Sequence, residues 1–275
     1  MSFLVAKADG ETEPFESGKL THSLIKAGAD ETIARAIVQK IESELAGHAR
    51  GSVMSTHEIY AHAFQELCSI RRPVAARYSL KRAVLEFGPS GFPFEEYLSQ
   101  LFIHEGYIAK TDQIVKGGCV EHEVDIVLTK GGETTFVEAK FHNSLAYKSD
   151  LKVALYVQAR MEDLVAGGFA NSKGLLITNT KFTDVAVSYA ECRMLGLLSW
   201  DYPQGQTLHE RIERAHLYPI TAITSLSRRE KTALLEAKIV LCSQLLKHAD
   251  ILGTLGIAGH KAEVILEEAG ALCSA

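Results

Sequence analysis

The chain has 275 residues, 47% of them hydrophobic and 23% charged, enough to bury two or three modest cores. Its formal charge of −5 excludes a grip on nucleic acid by bulk positive charge and leaves that role to local basic patches or bound cations. The whole acid excess lies in residues 95–205, which hold 15 acidic against 10 basic side chains. "MSFLVAKADGE" lacks the basic start and apolar run of a secretory leader, and no window approaches a membrane span, so a cytoplasmic protein without a membrane partner is expected. The five cysteines are scattered and never form C-x-x-C, which reads as reduced thiols rather than a disulfide framework or a zinc ribbon.

In chain order, "FLVAKADGETEPF" predicts a strand pair turning at Asp9-Gly10. Helices follow in "SGKLTHSLIKAGA", in "DETIARAIVQKIESELAG", which ends at Gly47, and in "STHEIYAHAFQELCSI", which opens on a Ser or Thr cap. A fourth helix, "PVAARYSLKRAVLEFG", starts at a proline and stops at a glycine. The Gly and Pro content of "GPSGFPF" marks a boundary. This α+β segment, residues 1–91, resembles the ATP-cone, a nucleotide-sensing domain. The resemblance rests on Val5, Lys7, Asp9, Gly10, Glu13, Phe15, Lys19 and Leu20, then on "STHEI" and "AARYSLKRA". It implies that Lys7, Lys19 and one of Lys81 or Arg82 meet the phosphates of ATP or dATP. Val5, Glu13, Phe15, Leu20 and Thr56 would lie near the nucleoside. Ala8 stands where a second basic residue often follows the lysine. Without the resemblance, these lysines read as solvated surface charges.

In residues 92–205, "GFPFEEYLSQLFIHEGY" predicts an amphipathic helix carrying Phe94, Tyr97, Leu98, Leu101 and Phe102. "HEVDIVLTKGGETTFVEAKFH" then reads as a hairpin about Gly131-Gly132, with Lys130 facing Glu133 and Asp125 facing Glu138. Alternation puts Val124, Ile126, Leu128, Val137, Ala139 and Phe141 on a core face and Glu123, Asp125, Glu138 and Lys140 on the other. Opposed carboxylates repel each other, so something positive belongs between them. A hard divalent cation such as Mg2+ or Mn2+ with Lys140 beside it is one answer, suited to phosphodiester cleavage. Ion pairs of Lys140 with Glu123 and Glu138 are the other, and spacing leaves both open.

"HEVDIV" followed by "VEAKF" is similar to the D-x(n)-E-x-K signature of PD-(D/E)xK nucleases, near the Mrr and Holliday-junction-resolvase branches of the restriction-endonuclease-like fold. The order of the predicted elements, α-β-β-β-α-β-α-β with a short strand near "AKTDQIV", is that family's α/β core about a mixed sheet. The resemblance implies an Mg2+-dependent DNA endonuclease with Asp125, Glu138 and either Glu95 or Glu96 at the metal and Lys140 beside the attacking water. It also implies that Gln158 or Arg160 reaches the site or the DNA backbone. The chain has no G-x-x-x-x-G-K-[ST] loop, so the nucleotide is expected as an effector rather than a fuel. Both resemblances point to a homodimer.

Residues 206–275 read as a small all-α segment. "LGIAGHKAEVILEEA" faintly resembles helix-hairpin-helix folds, which would bring Gly256, Gly259, His260 and above all Lys261 to DNA phosphates. A packing or dimerisation appendage, with His260 an ordinary surface histidine, fits the neutral charge equally well.

Overall fold

A computed structural model describes residues 4–7, 11–47 and 53–274. The N-terminal part pairs β1 (Leu4–Ala6) with β2 (Thr12–Pro14) antiparallel and with β3 (Met54–Ser55) parallel. Asp9-Gly10, the expected turn, and Ala8 lie outside the described residues. Around these strands pack α1 (Ser17–Lys26), α2 (Glu31–Gly47) and α3 (Thr56–Ile70). The expected cap of α3 is Ser55, whose hydroxyl accepts from the Glu58 amide while Glu58 accepts from the Ser55 amide, a reciprocal arrangement that satisfies two end donors. The fourth helix is broken in two, α4 (Arg72–Tyr78) and α5 (Leu80–Leu85), at Ser79, whose φ of −90° and ψ of 2° leave the helical range.

The central part begins with α6 (Phe92–His104), then β4 (Ile108–Lys116), β5 (Glu121–Lys130) and β6 (Glu133–Lys140). The strand expected to be short, β4, has nine residues and forms one edge of the sheet. After β7 (Lys148–Ser149) come α7 (Leu151–Ala166), β8 (Ser172–Thr178), β9 (Lys181–Phe182), α8 (Asp184–Arg193) and β10 (Gly196–Leu198). The main sheet has the order β10-β8-β6-β5-β4, antiparallel through β4-β5-β6 and parallel through β6-β8-β10. Each parallel step is made by a crossover helix, as parallel pairing requires. Gly131 and Gly132, at φ of 59° and 84°, form the two-residue hairpin turn, and Lys130 pairs with Glu133.

The expected strand alternation fails at one place. Ile126, Leu128 and Val137 pack on the α6 side, but Val124 belongs with Phe136, Met161 and Leu164 on the α7 side. The hairpin ladder ends at Ile126–Val137, and Asp112 on the neighbouring strand has φ of +53°. The strands are therefore irregular beside Asp125, and Val124 leaves the core face assigned to it. Asp163 of α7 fixes the far end of β5 by accepting from the Cys119 amide at 2.8 Å and bonding the His122 ring at 2.8 Å. Gly117 permits this approach, since a Cβ there would stand 2.1 Å from an Asp163 oxygen.

The last part contains α9 (Leu208–Ala215), a 3-10 turn at Ile220–Ala222, α10 (Arg228–Glu236), α11 (Cys242–Lys247), α12 (Ile251–Thr254) and α13 (His260–Cys273). One core runs from Leu80 and Val84 of α5 through Phe94 and Leu98 of α6 to Ile212, Leu234 and Ile265. A second lies within the N-terminal part, among Leu24, Ile37, Ile41 and Leu67. Among the described residues no helix is long and apolar enough to cross a membrane.

Candidate active site

Asp125 lies where the β5–β6 ladder ends, and its Oδ2 accepts the Ala139 amide at 2.6 Å. Burial is the main cause that lifts its carboxyl to about 6, with Glu138 adding repulsion. Glu138, on β6, turns toward α7, where Arg160 Nη1 donates to its Oε2 at 2.6 Å. That ion pair is nearly closed to solvent, with side-chain exposures of 9% and 16%. Arg160 also donates to the Tyr156 hydroxyl at 2.7 Å. Glu95, in the first turn of α6, is pushed up to about 7 by burial and then by Asp125, Asp112, Glu138 and Glu123. Its carboxylate rests against Gly91, where a Cβ would stand 2.9 Å from Oε1.

Of the two glutamates proposed on α6, Glu95 therefore faces the acidic cluster, whereas Glu96 accepts from Gln100 along its own helix at 3.1 Å. Gln158 donates to Glu162 at 3.1 Å on the exposed side of α7. Arg160, expected to reach either the site or the DNA backbone, is the ion-pair partner of Glu138. Lys140 ends β6 opposite Thr178 and is exposed. Just beyond it, the Asn179 side chain donates to the His142 carbonyl and accepts its amide, both at 2.8 Å. A buried amide thus continues the strand pairing and sets the path of the chain after Lys140. No sequence signal marked Asn179, because its partner lies 37 positions away.

Among the described residues no three His, Cys, Asp or Glu side chains converge closely enough to hold a metal ion as they stand. The expected shell of Asp125, Glu138 and Glu95 is thus not closed. Its chemistry nevertheless suits a hard cation: oxygen donors, raised carboxyls, and one oxygen on each of Asp125 and Glu138 outside the bonds to Ala139 and Arg160.

In the N-terminal part, Lys7 pairs with Glu13 and Lys19 with Glu16, each at 2.7 Å. Val5 and Leu20 are buried, Phe15 packs on the same core, and Thr56 opens α3. Arg82 lies on this side, its guanidinium 3.4 Å from the Tyr60 ring centre and 3.1 Å from the His57 ring nitrogen. Lys81 is directed elsewhere, its ammonium 5.7 Å from the centre of the Trp200 ring. At the other end of the chain, Lys261 donates to both oxygens of Glu230 at 2.6 and 2.8 Å, an ion pair within the helical segment, while its side chain stays 48% exposed. Gly256 and Gly259 both take positive φ before α13, and His260 is an exposed neighbour of Glu263.

Three family profiles match consecutive stretches: an ATP cone domain over residues 3–84, a restriction endonuclease domain over 89–202 and the C-terminal domain of AF1548-like proteins over 218–273. Together with the sheet order, these define a restriction-endonuclease-like nuclease domain preceded by an ATP cone. An uncharacterized protein of Archaeoglobus fulgidus is 35% identical over 173 residues, 62% of this chain and 97% of the relative. A solved structure of a protein of unknown function, AF1548, is 32% identical with a TM-score of 0.57, covering 67% of this chain and 98% of that one. The chain belongs to the AF1548-like family. A repair endonuclease from Pyrococcus abyssi aligns at 15% identity and a TM-score of 0.33 over 40% of this chain and 46% of its own. The stretch with a faint likeness to helix-hairpin-helix folds thus falls within the AF1548-like C-terminal match.

Proposed function

We infer that the protein is a metal-dependent DNA endonuclease whose activity responds to ATP or dATP held by the N-terminal cone. The observation that carries this reading is the mutual repulsion among Asp125, Glu138 and Glu95, with Lys140 two residues beyond Glu138 on β6, within the matched restriction endonuclease domain. Asp125, Glu138 and Glu95 would hold Mg2+ or Mn2+, which when bound polarises a phosphoryl oxygen and acidifies water. Lys140 would orient the attacking water and offset charge developing on the phosphate, a role strongest where donors are fixed in advance. The Asn179 clasp on His142 supplies that fixation two residues downstream. Arg160 would hold one oxygen of Glu138 in place and limit the repulsion between the two acids. Lys7, Lys19 and Arg82 would meet nucleotide phosphates, and a homodimer would be the cutting form.

The test is cleavage of plasmid and branched DNA with Mg2+ or Mn2+, with and without ATP or dATP, beside Asp125→Asn and Lys140→Ala. Metal-dependent cutting by the parent protein, with at least about a hundredfold loss in either variant, is expected. Equal cutting by all three would reject the site. The Arg160–Glu138 ion pair favours a second reading, a catalytically silent nucleotide sensor that only holds DNA. DNA retention without cleavage under either metal would select it.

A further inference from the structure

A groove of about 1060 Å³ runs between the α5–α6 linker and α10. Its lining combines an aromatic side chain and cations: Phe92 from the start of α6, Arg228 and Lys231 from α10, Lys238 just after it, and Asn143. Phe92 is 39% exposed, unusual for a phenylalanine among buried neighbours, and the Lys238 ammonium lies 5.4 Å from its ring centre. Glu86 and Glu236 also border the groove. Glu86 is neutralised by Lys231 at 2.8 Å, which leaves Arg228 and Lys238 against Glu236.

Two of the lining residues lie close along the chain to residues of the proposed site. Phe92 stands one helical turn before Glu95, and Asn143 follows Lys140 by three positions. An aromatic face with cations beside it is the arrangement that stacks bases and meets the phosphates between them. The volume is that of a pocket for a ligand of a few rings, too small for a duplex.

We propose that this groove seats an unpaired DNA strand next to the scissile phosphodiester, so that the preferred substrate is a duplex carrying a single-stranded extension. The inference rests on the endonuclease reading for its substrate but stands or falls on binding. The full chain carrying Asp125→Asn is titrated, by fluorescence anisotropy at fixed salt, with a blunt duplex and with the same duplex bearing a single-stranded extension. The extended duplex should bind at least about fivefold tighter, the value of one base–aromatic stack. Phe92→Ala and, separately, Lys238→Glu should erase that advantage while leaving blunt-duplex affinity unchanged. Equal affinity for the two DNAs, or a preference that survives both substitutions, would overturn the proposal. Wild-type protein that cuts both DNAs equally well and binds them equally overturns the groove but leaves the nuclease. A binding preference without any cleavage supports the groove and removes the nuclease.

Discussion

Glu95 holds a carboxylate where burial and four acidic neighbours favour its neutral form, and its carboxyl sits at about 7. The folded value lies above the ordinary one of 4.5, so folding favours the protonated group. Stability from this residue is greatest below about 4.5 and declines as pH rises toward 7. Without metal, Glu95→Gln should therefore raise stability at pH about 8 by about 1–2 kcal/mol, after discounting for partial exposure, and change nothing at pH about 4. Thermal melts in chelator check this, and coincident melting curves at the higher pH would remove the strain. Arg160 is the counterweight. Arg160→Met should cost about 2–3 kcal/mol in urea unfolding because it leaves Glu138 half-buried without its partner, and adding Glu138→Gln should restore part of that loss. That Gln158 or Arg160 reaches the site or the DNA backbone was an expectation from the resemblance. That Arg160 closes on Glu138 was not legible in the sequence, because the pairing spans 22 positions and depends on how α7 lies across β6.

The hairpin shows how local chemistry governs an element and where it stops doing so. Two glycines at positive φ set the register, and it holds as far as Ile126–Val137. Beyond that, counting fails, since Asp112 takes a left-handed backbone on the adjacent strand and Val124 changes side. A period of two cannot report such an irregularity, which arises between strands rather than within one. The helix caps were more legible because their partners are three residues apart, as at Ser55 and Glu58. At α10 the same device carries a load between elements. Burial alone would raise the Glu230 carboxyl, but Lys261 and the Ser227 cap draw it down to about 2. Its folded value lies below the ordinary one, so this contribution is present above about 4.5 and is lost as pH falls toward 2. Glu230→Gln should thus cost about 1 kcal/mol near neutral pH, a typical cap value, with the difference from wild type vanishing near pH 2. Urea denaturation at the two pH values measures it, and a penalty independent of pH would refute the charge-based account.

Across the whole molecule, the segmentation by Gly and Pro was legible, but the sharing of one core was not. α5 falls almost wholly within the matched ATP cone yet packs with α6 and the C-terminal helices, because the apolar face of a six-residue helix says nothing about which neighbour will cover it. The same short helix sends four groups in different directions. Arg82 reaches Tyr60 and His57 inside the cone, and Lys81 reaches Trp200. The Ala83 carbonyl accepts from Thr221 at 2.7 Å, and Glu86, at the end of α5, pairs with Lys231 on the wall of the groove. A nucleotide that drew Arg82 toward its phosphates would have to move α5 or break these contacts, and a ligand shifts an equilibrium only through such differential contacts. The expected outcome is separable: Thr221→Val combined with Lys231→Met should leave ATP affinity within about twofold while reducing the effect of ATP on cleavage by about fivefold or more, a coupling of about 1 kcal/mol. Isothermal calorimetry gives the first quantity, and cleavage rates at zero and saturating ATP give the second. If the ratio of those rates is the same in the double variant and the wild type, the signal does not pass through α5.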